Sequence, residues 1–194
     1  SYHTAYLKAN FPLEFLVANL MSEVESNAKV SDDNIARIKA EIRKMGVKVN
    51  PPNLNVSGNV YSILDNKTLI TGLNQLKYMG KDAIPEILEH RPFNSFDDLL
   101  SRVDARKVRV TAIQAMAASG CLDHFGLTRK QIFLYAGDYK KKLQVWNKKH
   151  PGEQFVYPWP EDIGEWTMAE KYAMEEYYIG EGLSCNMREA YPGF

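Results

Sequence analysis

The sequence predicts a mainly α-helical fold with one small β-hairpin, on the basis of three observations. Apolar residues recur at helical spacing along most of the chain, and typical N-cap residues such as Ser95 and Thr128 precede several of these stretches. Strand-like sequence is confined to Val60–Leu64 and Thr68–Thr71, which a short turn joins. With 194 residues, 45% hydrophobic and 25% charged, the chain can bury one moderate core or two small ones.

The first unit, residues 1–50, is predicted to form helices that serve packing rather than chemistry. Residues 2–25 are helical in pattern, with Pro12 near a helix start. Ser31 is the expected N-cap of the next helix, which ends at Gly46. Two consecutive prolines then break any helix, so we place the boundary after residue 50. The buried candidates are Phe15, Leu16, Leu20 and Met21.

A short helix, a tight turn and a second helix are predicted between Gly72 and Leu88, directly after the β-hairpin. The turn is Tyr78-Met79-Gly80, and Lys77 and Lys81 flank it. A helix-hairpin-helix of this kind points successive backbone NH groups outward beside a helix N-terminus, which suits a phosphate oxygen. Taken alone, the stretch also fits an ordinary helical hairpin whose glycine only permits the turn.

A second hairpin follows at once. Ser95 is the predicted N-cap of a helix that ends near Val103, and a further helix runs from about Val110 to Ser119, where Gly120 ends it. The tip between these helices contains three basic residues, Arg106, Lys107 and Arg109. Two phosphate-binding turns in close succession would hold a nucleic-acid duplex more specifically than one turn.

Net charge is zero, but the charges are unevenly distributed. Residues 102–149 contain 11 basic and 3 acidic residues, whereas residues 150–194 contain 2 basic and 9 acidic ones. A basic block that begins at the second hairpin is what a phosphate-facing surface needs, because each neutralised phosphate releases counterions. The alternative is a solvated basic face that the acidic C-terminal stretch balances.

The remaining stretch is predicted to be helical at both ends. Thr128 is the expected N-cap of a long helix, in which Arg129 and Lys130 are further candidate DNA contacts. Thr167 and Glu170 have capping-box spacing for a last helix that ends near Gly180. The lysines expected on or near the exposed sides of the long helix are Lys140, Lys141, Lys142, Lys148 and Lys149.

The hairpin sequence resembles a known family. Gly-Leu-Asn-Gln-Leu-Lys-Tyr-Met-Gly, residues 72–80, is similar to the Gly-Leu-x-x-Ile-Lys-Gly-Val-Gly segment of the bacterial DNA polymerase III alpha subunit, a C-family replicative polymerase. Four other stretches resemble this family in the same order. Tyr2–Phe15 resembles its last fingers helices, and Arg43–Asn55 resembles the link that follows them. Arg91–Asp104, together with 106–108 and 118–123, resembles its second hairpin, and Glu175–Ser184 resembles the run before its OB domain.

The resemblance implies a domain organisation and a function. Residues 1–50 would end the fingers domain, 51–126 would form a tandem helix-hairpin-helix DNA-binding domain, and 127–194 would add a basic helix, a connector and a C-terminal helix. The segment would hold duplex template-primer DNA by its backbone, without reading sequence. The chain begins at Ser1 inside what resembles a fingers helix, so we expect it to be a piece of a longer polymerase.

Catalysis is not expected within this segment. The family's catalytic aspartates and their Mg²⁺ belong to a palm domain before the matched region, so only the longer chain would be a nucleotidyltransferase. The four histidines are scattered, and Cys121 and Cys185 are read as reduced thiols, so no cofactor or metal site is expected here. The sequence lacks signal-peptide and membrane-span patterns, which predicts a cytoplasmic protein without a membrane partner.

Two departures and two alternatives remain open. Tyr78 stands where the family usually has glycine, and Cys185-Asn186-Met187 where it tends to have Gly-His-Pro, which fits a divergent or phage relative. Gln131–Tyr135 superficially resembles a sliding-clamp motif, but its helical pattern disfavours that role. The alternative to DNA binding is a protein-interaction module in which the basic helix docks an acidic partner.

Overall fold

The computed structural model describes residues 2–26 and 31–193, with Ser31 described by its backbone alone. The expectations for Ser1 and for the Ser31 side chain therefore lie outside the described residues. In this part of the chain the helical prediction is confirmed. The α-helices are α1 (Tyr2–Asn10), α2 (Pro12–Ser26), α3 (Ser31–Lys44), α4 (Ala83–His90), α5 (Phe96–Arg102), α6 (Val110–Ala118), α7 (Arg129–Lys149), α8 (Met168–Ile179) and α9 (Met187–Ala190).

A three-stranded sheet separates α3 from α4. Strands β2 (Ser62–Asp65) and β3 (Thr68–Ile70) form the predicted antiparallel hairpin. Strand β1 (Lys48–Asn50) pairs in parallel with β3 and places Val49 opposite Leu69, so the sheet order is β1-β3-β2. The sequence did not predict β1, because three residues with one buried side chain are too short to show strand alternation.

The first hydrophobic core joins α2 and α3 to this sheet. Leu16 and Leu20 are buried as predicted, whereas Phe15 and Met21 are only half-buried. Val49, Tyr61 and Leu69 complete the cluster from the sheet side, so the packing continues across residue 50. The unit boundaries themselves stay predictions.

The second core contains both hairpins and the long helix α7. Small residues of α6, including Ala112 and Ala115, are fully buried and allow α7 to pack closely against it. Thr128 forms the predicted N-cap of α7, and its hydroxyl accepts the backbone NH of Gln131. The largest buried side chains of this core include Leu73, Ile87, Phe93, Leu99, Ile113, Met116 and Ile132.

The C-terminal region folds back over α7. Aromatic residues of the connector stack on it, with the Tyr139 and Tyr157 ring centroids 4.6 Å apart. The capping box of Thr167 and Glu170 begins α8, and Gly180 ends it at φ 93°, both as predicted. Helix α9 then follows, so α8 is not the last helix. None of the helices within 2–26 and 31–193 is long and apolar enough to cross a lipid bilayer.

Candidate nucleic-acid interface

The second hairpin forms through local capping. The Ser95 hydroxyl accepts the backbone NH of Asp98 at the start of α5 (3.1 Å), and Gly120, at φ 81°, follows the end of α6. At the tip, the Asp104 carboxylate accepts the backbone NH of Arg106 (2.8 Å). The side chains of Arg106 and Arg109 are exposed on the surface of this turn.

The first hairpin is less regular than predicted. Its first helix is a single 3₁₀ turn, Leu73–Gln75, and α4 begins only after the chain has turned. Tyr78 has φ 63° and is the one non-glycine residue with positive φ in the described ranges. This left-handed backbone favours glycine, so tyrosine adopts it here at a cost in strain.

Contacts with α8 hold this strained turn. The backbone NH of Lys77 donates to the carbonyl of Tyr178 (2.9 Å), and the hydroxyl groups of Tyr78 and Tyr177 are 2.6 Å apart. The Lys77 ammonium lies 4.3 Å from the centroid of the Tyr177 ring. Met79 is half-buried against the second core, so it anchors the turn rather than facing outward.

The two turns line one cleft of about 330 Å³. A side chain at Gly80 would meet nothing within 4 Å, so the backbone of the first turn is open to solvent there. Thr111 and Ala112 extend the cleft along the first turn of α6. Six of the ten predicted DNA-binding residues line this cleft, namely Tyr78, Gly80, Lys81, Arg106, Lys107 and Arg109.

A buried glutamate links the two hairpins beneath the cleft. Glu86 of α4 is only 4% exposed; its carboxylate binds the Lys107 ammonium (2.6 Å) and accepts the backbone NH of Asp104 (2.8 Å). The hydrogen bond from Lys107 lowers the pKa of Glu86, and the bond from Asp104 adds to this effect. The ion pair with Glu86 engages the charge of the exposed Lys107, which leaves Lys81, Arg106 and Arg109 as the cleft's cations without an ion-pair partner in the described residues.

Comparison with known proteins identifies this arrangement. A family model described as a helix-hairpin-helix motif matches residues 46–132, which contain both hairpins and the sheet. The DNA polymerase III subunit alpha of Treponema pallidum is 29% identical over 98% of this chain, and that of Campylobacter jejuni is 34% identical over 69%. The chain belongs to the DNA polymerase III alpha family. It spans 17% and 11% of the length of these two relatives, so it corresponds to one segment of such subunits.

The same subunit of Thermus aquaticus is 35% identical over 65% of this chain. The Treponema match covers the N-terminal helices and the C-terminal region as well as the hairpins, since it extends over nearly the whole chain. The relation to DNA polymerase III alpha therefore applies to the three predicted units together and not to the hairpins alone.

Arg129, a predicted DNA contact, is buried in an ion-pair network and does not line the cleft. The residue is 4% exposed, and its guanidinium binds the carboxylate of Asp123, the carboxylate of Glu175 (2.7 Å) and the hydroxyl of Ser184 (2.8 Å). Burial opposes the charge, yet these carboxylates keep the pKa of Arg129 above its usual value. The sequence did not indicate this burial, because an arginine in the first turn of a helix gives no local sign of a buried partner 46 residues away.

Lys130 is half-buried beside this network rather than in the cleft. Its backbone NH donates to the carboxylate of Glu165 (3.3 Å), which also accepts the backbone NH of Arg129 (3.0 Å). Neither Lys130 nor Lys77 lines the cleft, and the Lys77 ammonium lies over the ring of Tyr177. Both remain predicted contacts without a place in the cleft wall.

Lys140 is a further correction to the expected exposed face of α7. It is 8% exposed, and its ammonium donates to the carbonyl of Val108 in the second hairpin (3.3 Å). Burial lowers the pKa of Lys140. Lys140 therefore supports the turn from beneath, whereas Lys141, Lys142, Lys148 and Lys149 are exposed as predicted.

One group of potential metal ligands was not apparent from the sequence. Glu86, Glu89 and His90 place ligand atoms within 4.8 Å of one another on α4. The Glu86 carboxylate already binds Lys107 and Asp104, and His90 Nδ1 lies 2.9 Å from the Glu86 carbonyl oxygen. Internal partners thus occupy two of the three ligands, and we assign no metal to this group.

Proposed function

We propose that this chain is the segment of a replicative DNA polymerase that binds the sugar-phosphate backbone of duplex DNA and positions the template-primer. The observation that carries the proposal is the shared cleft, where two hairpin turns bring three available cations beside an open backbone. Membership in the DNA polymerase III alpha family supports the same function.

The side-chain chemistry of the cleft suits phosphate groups. No ion pair engages Lys81, Arg106 or Arg109 within the described residues, so their charges are available to a ligand. Arginine binds phosphate oxygens through two parallel NH groups, and lysine adds a mobile point charge. Contacts of this kind hold a duplex in place without distinguishing its base sequence.

The proposal assigns the chemistry of synthesis to the rest of the polymerase. The longer chain would supply the catalytic aspartates and the Mg²⁺ ions, and the present segment would act with it on DNA in the cytoplasm. Its contribution would be to hold the duplex firmly enough that the primer end stays in register with that distant site.

Salt dependence of duplex binding tests the proposal. We expect this chain to bind blunt duplexes of unrelated sequence with equal affinity, and the affinity to fall steeply with salt, with a logarithmic slope of about −0.9 for each phosphate neutralised. Fluorescence anisotropy of a labelled duplex measures both properties. The double variant Arg106→Ala/Arg109→Ala should bind more weakly and reduce the slope by about two.

A charge-matched control separates cleft binding from general attraction. Lys44 and Lys67 are exposed basic residues of α3 and the β2–β3 turn, outside the cleft. The variant Lys44→Ala/Lys67→Ala changes net charge equally and should retain the slope. If both variants lose equal affinity, or if the chain does not bind duplex DNA at low salt, the proposed function is wrong.

A second candidate is the docking of an acidic protein segment on α7. A groove of about 470 Å³ lies beside Val145, Trp146 and Phe155, and Lys141 and Lys149 border it. The Val145 side chain is 52% exposed, which is high for an aliphatic residue beside two aromatic ones. This surface fits a segment that combines carboxylates with an aliphatic side chain.

The two candidates differ in the variants that disrupt them. Docking on α7 predicts that Val145→Asp abolishes binding of an acidic, leucine-containing peptide, while Arg106→Ala/Arg109→Ala leaves peptide binding unchanged. Duplex binding predicts the reverse dependence. Fluorescence anisotropy with a labelled peptide and a labelled duplex measures both for each variant.

A further inference from the structure

Tyr78, which lines the cleft, forms a cluster with the exposed Tyr177 and the half-buried Tyr178. Tyr78 is 55% exposed and Tyr177 is 50% exposed, and their rings lie 6.5 Å apart at an interplanar angle of 30°. Tyr178 packs edge-on against both, with centroid distances of 5.9 Å to Tyr78 and 4.9 Å to Tyr177. The cluster thus holds the Tyr78 ring in a fixed orientation, although half of its surface remains open.

Tyr78 contacts α8 through its hydroxyl and ring, but burial does not explain why tyrosine occupies position 78. The backbone there is left-handed, a conformation that glycine adopts without penalty and tyrosine does not. The ring contributes no buried area comparable to that of a core residue, because it is largely exposed. Strained non-glycine residues of this kind concentrate at functional sites, where the side chain serves a ligand.

The surroundings of the ring indicate the chemistry of that ligand. Tyr78 lines the same cleft as Lys81, Arg106 and Arg109, and the Lys77 ammonium lies over the neighbouring Tyr177 ring. An aromatic face beside several cations is the arrangement with which proteins bind single-stranded nucleic acid, since bases stack on the rings and phosphates contact the cations. A protein side chain on the ring would not need these cations.

We propose that the Tyr78 ring, supported by Tyr177 and Tyr178, stacks against an unpaired base next to the duplex held in the cleft. The inference rests on the proposed function, because the duplex places the unpaired nucleotide. Bases inside a duplex have both faces covered by their neighbours, so the ring can stack only on a terminal base pair or on an unpaired nucleotide, and the unpaired nucleotide is free to turn its face toward the ring. The cluster would therefore recognise the junction between paired and unpaired DNA.

A pair of labelled DNA substrates tests this inference. One is a blunt duplex, and the other has the same duplex with an unpaired extension whose first base is 2-aminopurine. We expect this chain to bind the extended substrate about fivefold more tightly or better, and to quench the 2-aminopurine fluorescence by stacking. Tyr78→Phe should keep both effects, because it retains the ring.

Two variants without the ring should lose both effects. Tyr78→Gly and Tyr78→Asn both tolerate the left-handed backbone, so at least one should fold normally by circular dichroism. In each we expect the ratio of the two affinities to fall to about one and the quenching to disappear. Tyr6→Ala, which removes a tyrosine of similar exposure (50%) from α1, should change neither.

The outcomes distinguish this inference from the function on which it rests. If the unmodified chain binds neither substrate, the proposed function fails. If it binds both equally, or if the ratio and the quenching persist in Tyr78→Gly or Tyr78→Asn, duplex binding stands and base stacking by Tyr78 is wrong; the cluster would then be available for a protein side chain.

Discussion

The two hairpins differ in what holds their turns in shape. The second consists of two α-helices, with Ser95 capping the first, and the Asp104 carboxylate closes its turn, so neighbouring residues help to fix it. The first has one 3₁₀ turn and a tyrosine in the left-handed region, and its turn contacts α8 through residues 99 positions away. The second turn thus has local caps in addition to its contacts with Glu86 and Lys140, whereas the first depends mainly on tertiary packing.

Two side-chain networks connect the elements that line the cleft. The buried Glu86 belongs to α4 of the first hairpin but binds Lys107 and Asp104 of the second. Helix α8, which supports the first turn, is in turn fixed to the start of α7 by the pair of Arg129 and Glu175. Changes in these two networks should therefore affect the two hairpins differently.

The largest expected effect follows from removing the guanidinium that holds α8. Arg129→Met leaves the Glu175 carboxylate, which is fully buried, without its cation. We expect the free energy of unfolding to fall by about 3 to 5 kcal/mol in urea denaturation. Hydrogen exchange should show that the Lys77 amide loses more protection than the amides inside α6.

The matched control for this prediction neutralises both partners. Arg129→Met/Glu175→Gln removes the unpaired charge and should recover most of the lost stability. If the single variant costs less than about 1 kcal/mol, the pair does not anchor α8 as described.

A smaller loss is expected from Gly120→Ala at the end of the second hairpin. The residue has φ 81°, and an added Cβ would lie well inside van der Waals contact with the Arg129 guanidinium. We expect about 2 kcal/mol or more, because backbone strain adds to displacement of Arg129. Gly126→Ala has φ 78° but open space around its Cβ, so it should show the strain alone. If thermal denaturation shows equal losses of stability for Gly120→Ala and Gly126→Ala, displacement of Arg129 does not contribute.

Glu86→Gln should strengthen DNA binding by the second hairpin, because it releases the Lys107 ammonium from its ion pair. The amide oxygen can still accept the backbone NH of Asp104, but it no longer neutralises Lys107. We expect duplex affinity to rise about threefold at low salt and the salt slope to steepen by up to about one. Unchanged affinity and slope in anisotropy titrations would show that Lys107 does not reach the DNA.

The smallest effect concerns acid stability. Because the pKa of Glu86 is lowered in the folded protein, its ionised form stabilises the fold above its ordinary pKa of 4.5, and this stabilisation is lost as pH falls through the folded value. Glu86→Gln lacks a group that titrates there. Stability measured by urea denaturation should therefore fall less steeply below about pH 4.5 in the variant than in the unmodified chain. Parallel curves would contradict the assignment.

The features that the sequence predicts well are those fixed by neighbouring residues. The caps at Ser95, Thr128 and Thr167 and the helix end at Gly120 each follow from residues within one helical turn. The second hairpin and its basic tip follow from the same local signals. The resemblance also predicts strain at Tyr78, because the family that the sequence resembles usually has glycine there.

The features that the sequence does not predict depend on distant partners. Strand β1 forms because the edge of β3 is available to pair with it. Lys140 can be buried because its ammonium donates a hydrogen bond to the Val108 carbonyl. Arg129 differs from Arg106 only in its tertiary surroundings, where Asp123 and Glu175 enclose one guanidinium and solvent surrounds the other. Charge and spacing alone cannot separate a buried ion pair from a phosphate contact.

The central claim is that both turns face one duplex, and amide chemical-shift mapping tests it most directly. On titration with a blunt duplex, we predict that the amides of Gly80 and Lys81 shift together with those of Arg106, Lys107 and Arg109, at one shared Kd. Shifts confined to one turn, or to the exposed lysines of α7, would contradict the account.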